Sequence, residues 1–347
     1  MISVGIIGAS GYTGAELLRL CHAHPDLEVV LATGDSQAGI AVAELYPSLA
    51  GAYGDRMFEA YAPERLDGID LVFLGLPHGA SQDLMGEIRS RVRWVVDLAA
   101  DFRLADPALY PQWYGEAHTA PELLDQFVYG LPELFRAQIL GATAVAAPGC
   151  YPTAAALAVA PLLRDGLAET RGIVIDAISG VSGAGRPPKP NTTFCTVDED
   201  VTAYGLLDHR HTPEIEQSVA RLAGVGASEV SVLFTPHLAP MNRGMLVTCY
   251  LRPTGAVTTA ALLDRYRDLY ADEPFVVVTD GSPSTKACLG SNTAHVTVRA
   301  DARTGTIVAL AAIDNLTKGA SGQAVQCANI LAGLPEATGL SSIGVYP

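Results

Sequence analysis

The apolar positions along the chain change character near its middle. In the first part, short, mostly apolar runs recur at Ile2–Ile7, Leu27–Ala32, 70–76, Trp94–Asp97 and 142–147. Runs this short and this apolar fit strands buried on both faces of a parallel sheet. Helical segments are expected between them, at 15–21, from Ser81 onward to Ser90, and over the alanine- and leucine-rich stretch 153–163. Residues 105–123, rich in Pro, Tyr and His, read as a long loop.

Beyond that helix the pattern becomes strand-dominated, at 172–178, 230–234, Met245–Leu251, 275–279, 294–299 and Thr306–Ile313, with one helix at 256–270. The turn Asp301-Ala302-Arg303-Thr304-Gly305 pairs the last two strands as a hairpin. The polar stretch from His237 to Gly244 is expected as a second, longer hairpin that carries contacts to a partner subunit. This half therefore reads as an antiparallel-rich α+β unit, with a final helix from about Ile313 to Leu331.

Two turns carry recognisable chemistry. Gly8-Ala9-Ser10-Gly11-Tyr12-Thr13-Gly14 joins the first strand to the first helix, where glycines let a pyrophosphate approach and the helix start supplies N–H groups. Ser10 and Thr13 add hydroxyls. Asp35, about 20 residues on, stands where an acid would read an NAD ribose, and Ser36 beside it leaves NADP open. The second turn is Ala147-Pro148-Gly149-Cys150-Tyr151-Pro152-Thr153, which places a thiol at a strand-to-helix junction. Unpaired N–H groups and the helix dipole favour a thiolate there.

A second glycine-rich loop, Ser179 to Arg186, runs into Pro187, Pro188 and Pro190, which forbid a helix. With one Arg it suits an anionic substrate group rather than another dinucleotide. In Asp208-His209-Arg210-His211-Thr212-Pro213-Glu214 a helix start is expected with Thr212 as its cap, Pro213 first in the helix and Glu214 in its first turn. Two imidazoles before a helix N-terminus suit a neutral general base. A metal clip would need a third ligand, and none is spaced nearby. His78 is expected to pack or hydrogen-bond near the cofactor.

Composition narrows the field. The 347 residues favour two domains, and a formal charge of -15 argues against nucleic acid and anionic membrane as partners. Six scattered cysteines without a C-x-x-C pair argue against zinc and disulfides and for a reducing cytoplasm. Met1 leads straight into an apolar strand with no basic leader, so no signal peptide is expected.

The runs GASGYTGAELLRL (8–20), LPHGAS (76–81), DLAADFRL (97–104), YGLPEL (129–134), PGCYPT (148–153), SGVSGAGR (179–186), HRHTPEIEQ (209–217), PHLAPMNRG (236–244) and DNLTKGASGQAVQ (314–326) span nearly the whole chain in order. Together they resemble the N-acetyl-gamma-glutamyl-phosphate reductases of arginine biosynthesis. The resemblance implies an α/β Rossmann domain, 1–149 plus 318–347, and an α+β glyceraldehyde-phosphate-dehydrogenase-like domain, 150–317, for catalysis and dimerisation. It implies NADPH as donor, an acyl-phosphate substrate and a homodimer or homotetramer. Cys150 would be the nucleophile and His209 or His211 the acid–base group. Cofactor contacts are implied for Gly8, Ser10, Gly11, Tyr12, Thr13, Gly14, Ser36, Pro77, Gly183 and Asn315. Ser182 and Arg186 are implied for the phosphate and Glu214 for the substrate's amide or amine end. Ala99 stands where the family usually has Ser. Ala147 stands where Asn usually precedes P-G-C, which leaves backbone N–H groups as oxyanion donors. Two rivals are a reductase of carrier-bound aminoadipyl phosphate in lysine biosynthesis and a non-catalytic dinucleotide-binding regulator.

Overall fold

A computed structural model describes residues 1–346. They group into two compact units, one of 1–148 with 320–340 and one of 149–319 with 341–346. Among the described residues no helix is long and apolar enough to cross a membrane.

The first unit is built on a six-stranded sheet. Its strands are β1 (Ile2–Ile7), β2 (Leu27–Ala32), β3 (Leu71–Leu74), β4 (Trp94–Asp97), β5 (Val128–Tyr129) and β6 (Ala144–Ala146), in the order β2-β1-β3-β4-β6-β5 and all parallel. Every residue of β3, β4 and β6 is buried, as expected of strands covered on both faces, and in β4 this includes Asp97. Because β1 pairs with β2 on one side and β3 on the other, the strand order reverses at β1/β3. In open parallel sheets that reversal marks the ligand site, at the carboxyl ends of the strands. The turns after β1 and β3, at Gly8 and Gly75, lie there. The expected loop 105–123 contains a short helix, Leu109–Tyr114, which tolerates Pro111 because its first turn needs no N–H donor there.

The second unit carries a seven-stranded mixed sheet of β7 (Ile173–Gly180), β8 (Thr202–Ala203), β9 (Val232–Ala239), β10 (Met245–Leu251), β11 (Val276–Val278), β12 (Ala294–Asp301) and β13 (Thr306–Ile313), in the order β11-β12-β13-β10-β7-β9-β8. The expected hairpin at 301–305 forms, with Gly305 N–H donating to the Asp301 carbonyl at 2.9 Å. The one expected from His237 to Gly244 does not. The strand runs on through His237 to Ala239, β9 pairs parallel with β7, and β7 separates it from β10. Phe234 and Pro236 keep the buried alternation up to the point where the polar residues suggested a turn, and the strand ends on the buried Ala239.

One face of this sheet packs under the Cys150–Arg164 and Thr259–Leu269 helices. The alternate residues face outward, among them Ile178, Leu233 and Tyr250, 36–47% exposed. Residues 341–346, expected in the first domain, lie instead along the second unit. Val345 N–H donates to the Leu289 carbonyl (2.7 Å) and Asn292 N–H to that of Ser341 (2.8 Å).

Candidate active site

In the first unit the Gly8–Gly14 turn feeds the Tyr12–Ala23 helix, whose capping residue, Gly11, offers no side-chain cap. The turn is built from backbone in close contact. Gly8 has φ +85°, and a methyl there would fall 2.6 Å from the Gly75 carbonyl oxygen; one on Gly14 would fall 2.4 Å from Ala9 Cα. Such a cradle fits a pyrophosphate against open helix-start N–H groups. The Ser10 hydroxyl donates to the Gly34 carbonyl (3.1 Å), and Gly8 N–H donates to Thr33 Oγ1 (3.1 Å), so the turn is tied to the end of β2. Asp35 and Ser36 lie exposed just beyond, with Asp35 at φ +46°. Pro77 and His78 follow β3. His78 Nδ1 stands 2.5 Å from Asp101 Oδ1, with the Tyr114 ring 4.1 Å away.

In the second unit the Cys150 helix begins at the cysteine itself, with Gly149 as its cap. The first helical bond is that of Thr153 N–H to the Gly149 carbonyl (2.9 Å). The N–H groups of Cys150 and Tyr151 precede it, and Pro152 contributes none. Cys150 is half-buried. Cys21, Cys249, Cys288 and Cys327 are buried, and burial pushes the thiols of Cys21 and Cys288 up to about 12 and 11 and Cys249 higher still. Gly319 lets the chain pass the cysteine, since a methyl there would fall 2.8 Å from Cys150 Cβ.

The two imidazoles separate into different environments. His211, not Thr212, caps the Thr212–Ala223 helix. Its ring lies on Gly149: a methyl at Gly149 would meet His211 Nε2 at 2.5 Å. The imidazole thus sits one residue from the thiol. His209 is enclosed by Tyr151, Tyr204, Phe234 and the His211 ring, with centroids 4.9–5.7 Å away. Its Nδ1 accepts the His211 N–H (3.1 Å). Burial, with the Arg210 charge adding to it, pushes His209 down to about 4, so this ring is neutral. Glu214, fully buried, accepts the Gly149 N–H at 2.9 Å and joins the two helix starts.

The loop after β7 is held by Asn315. Its Nδ2 donates to Ser182 Oγ (2.9 Å), and its Oδ1 accepts the Gly244 N–H (2.8 Å). Gly183 lies over this contact, where a methyl would be 3.7 Å from Asn315 Nδ2, and Arg186 follows half-buried. Ser182, Gly183 and Asn315 are therefore brought together, as are Cys150, His211 and Glu214.

Several participants escaped the sequence reading. Arg243 donates from Nε and Nη2 to the fully buried Asp314 and from Nη2 to Thr317 Oγ1. The hydroxyls of Tyr151 and Tyr204 meet at 2.9 Å, where burial pushes both up, Tyr204 to about 12. Asp314 belongs to the DNLTKGASGQAVQ run, but only the fold shows that it anchors an arginine 71 residues away.

Residues 3–142 match the family described as semialdehyde dehydrogenase, NAD binding domain, and residues 150–315 match semialdehyde dehydrogenase, dimerisation domain. The chain is 49% identical to the N-acetyl-gamma-glutamyl-phosphate reductase of Symbiobacterium thermophilum, covering 100% of this chain and 99% of that one. It is 50% identical to that of Desulforudis audaxviator, covering 100% of both. Its fold is similar to the crystal structure of aspartate semialdehyde dehydrogenase II from Vibrio cholerae complexed with ASA, with a TM-score of 0.71 at 16% identity over 96% of this chain and 98% of that one.

Proposed function

The chain belongs to the N-acetyl-gamma-glutamyl-phosphate reductase family, and on that premise we propose that it reduces N-acetyl-L-glutamyl 5-phosphate to the 5-semialdehyde through a thioester on Cys150. The observation that carries this reading is the His211 ring lying on Gly149, one residue from a half-buried thiol at a helix start. Cys150 Sγ, as thiolate, bonds to the acyl carbon, and the carbon–oxygen bond to phosphate breaks. The N–H groups at the helix start receive the transient oxyanion. Bound NADPH supplies the hydride that reduces the thioester. His211 gives a proton to the departing phosphate, the tetrahedral oxyanion left by hydride addition collapses to aldehyde and Cys150 thiolate, and His211 is recharged by a proton from solvent, the one proton the reduction consumes.

His209 is neutral and enclosed, and acts by holding the His211 backbone. Glu214 holds Gly149 in place. Ser182 and Arg186 bind the phosphate, with Gly183 allowing close approach and Asn315 fixing Ser182. The Gly8–Gly14 turn, with Ser10, Gly11, Tyr12, Thr13 and Pro77 around it, cradles the cofactor, and Ser36 meets its ribose phosphate. The outward apolar face of β7, β9 and β10 buries against a second copy to give a homodimer, in the cytoplasm.

Phosphate-dependent NADP reduction with N-acetyl-glutamate semialdehyde tests the reading. Cys150→Ser should lower kcat by about 10⁴-fold or more; a variant as active as the parent removes the nucleophile. Turnover of carrier-bound aminoadipyl phosphate alone would transfer the same chemistry to the other substrate.

A further inference from the structure

Behind the cofactor turn lies a buried cluster that the reaction does not use. Asp97, at the end of β4, Ser81 and Asp101 are all fully buried. Ser81 Oγ lies 2.9 Å from Asp97 Oδ2 and 2.8 Å from Asp101 Oδ2. A hydroxyl has one hydrogen and can donate to one of them. The other contact is a hydrogen bond only if that carboxyl carries a proton and donates to Ser81 Oγ.

Asp101 is the ionised member. It accepts the N–H groups of Gly79, Ser81 and Gln82 at 2.9–3.1 Å and faces His78 Nδ1 at 2.5 Å. Asp97 has one backbone donor, Ala99 N–H at 2.9 Å. The extra proton therefore sits on Asp97. Burial, with the Asp101 charge adding to it, raises Asp97 to about 7. Burial alone would raise Asp101 too, but the His78 contact and the N–H donors outweigh it and hold Asp101 at about 2.

The surroundings supply few competing charges. Arg103 donates to the carbonyls of Leu98 and Ala147 and lends Asp97 a weak positive field. His118, lowered by burial, and Tyr110 both contact the Asp101 carbonyl. Tyr114 covers His78, and Glu116 lies beyond Gly79. On the flanking strands, Leu74 and Ala146 sit opposite Asp97.

The cluster reaches the cofactor turn through the backbone. Gly75, at the end of β3, packs on Gly8, and a methyl on it would fall 3.2 Å from Thr13 Oγ1. Gly75 leads through Leu76 into the Pro77–Gly79 segment that Asp101 and His78 pin.

We propose that Asp97, Ser81, Asp101 and His78 form a proton-sharing chain whose single buried proton sets how firmly the Pro77–Gly79 segment, and with it the Gly8 turn, holds the pyridine dinucleotide. With Asp97 neutral, Ser81 donates to Asp101 and the segment is fully pinned. When Asp97 ionises, two buried carboxylates compete for one hydroxyl and the segment loosens, so dinucleotide affinity falls as pH rises. These four are positioning residues, and the idea rests on the reading that the Gly8 turn binds NADPH.

The test is the NADPH dissociation constant of the whole protein from pH 6 to 8.5, by cofactor fluorescence, which needs no acyl substrate. Lost turnover with intact binding would sink the reductase reading and leave this one standing. The parent should weaken by about tenfold across the range, which corresponds to about one unit of difference in the Asp97 pKa between free and bound protein. Asp97→Asn should keep the acid-side affinity throughout once the ligand's own phosphate titration, common to both proteins, is subtracted. A parent that binds no NADPH, a flat parent, or a variant that tracks the parent overturns the proposal. Infrared spectra of the parent give a check independent of any variant. A protonated-carboxyl band should be present at pH 6 and bleach with the same midpoint as the affinity, and its absence at pH 6 overturns the proposal as well.

Discussion

Two helix starts in this protein use the same three components, a capping glycine, a carboxylate from elsewhere in the chain and a histidine, and reach opposite ends. At the Ala80–Arg91 helix the Asp101 carboxylate takes the N–H groups of Gly79, Ser81 and Gln82, and His78 closes on Oδ1, beside the Gly79 N–H. The positive end of that helix is used up internally. At the Cys150 helix the Glu214 carboxylate takes the Gly149 N–H, the His211 ring lies on that glycine, and the N–H groups of Cys150 and Tyr151 precede the first helical bond. A carboxylate that fills a helix start makes an anchor. One that stops a residue short leaves the dipole to act on the thiol.

The largest effect that would sharpen this contrast is at His211. His211→Asn keeps a polar group on Gly149 but removes the titratable ring. It should lower kcat by about 10²- to 10⁴-fold while NADPH affinity stays at the parent's value. Unchanged kcat would move the acid–base role elsewhere. The next effect is steric. Gly149 has φ -65° and ψ 156°, which any residue adopts, so Gly149→Ala should fold. Its methyl would fall 2.5 Å from His211 Nε2 and force the ring away. A loss of about 10² in kcat is expected, with a thermal midpoint close to the parent's; full activity would show that the ring's seat on Gly149 is immaterial. At the other helix start the sign reverses. Asp101→Asn turns an amide N–H₂ toward backbone donors and should cost about 2 kcal/mol of stability by denaturant unfolding. If Asp101→Asn were as stable as the parent, the filled helix start would not be an anchor.

How far these features could be read in the sequence follows how local they are. The Gly8 turn and Cys150 each declare themselves within a dozen residues, as strand, glycine and helix in succession. The choice between His209 and His211 depends on which ring Gly149 meets, and those residues are 60 and 62 positions apart from it in the chain. The cap shifted from Thr212 to His211 for a related reason. The His209 carbonyl already accepts the Thr212 N–H, and the His211 N–H is turned back to His209 Nδ1, so the helix starts where that turn ends. The hairpin expected at His237 failed because strand partners are chosen by the sheet. β7, some 60 residues earlier, takes the place between β9 and β10. Glu214 was legible as a first-turn acid, but not that its oxygen would be spent on Gly149.

The smallest effect is a pair of opposed pH slopes. Asp97 is raised to about 7 in the folded chain, so its contribution is fully present below the unfolded carboxyl value near 3.8 and is lost as pH rises through 7. His209 is lowered to about 4 from 6.5, so above 6.5 it contributes no pH dependence, and below that the unfolded chain takes up the proton first. Folding stability then falls as pH drops toward 4. Between about pH 4.5 and 6 each group works with a slope of up to about 1.4 kcal/mol per pH unit, in opposite directions and in different units of the molecule. In the parent the two largely offset. The difference in unfolding free energy between Asp97→Asn and parent should change with pH in one sense, favouring the variant progressively as pH rises. The difference between His209→Phe and parent, which keeps the aromatic enclosure of Tyr151, Tyr204 and Phe234 filled, should favour the variant progressively as pH falls. Slopes of the same sign for both variants would mean that one of the two buried groups is not in the protonation state its surroundings dictate.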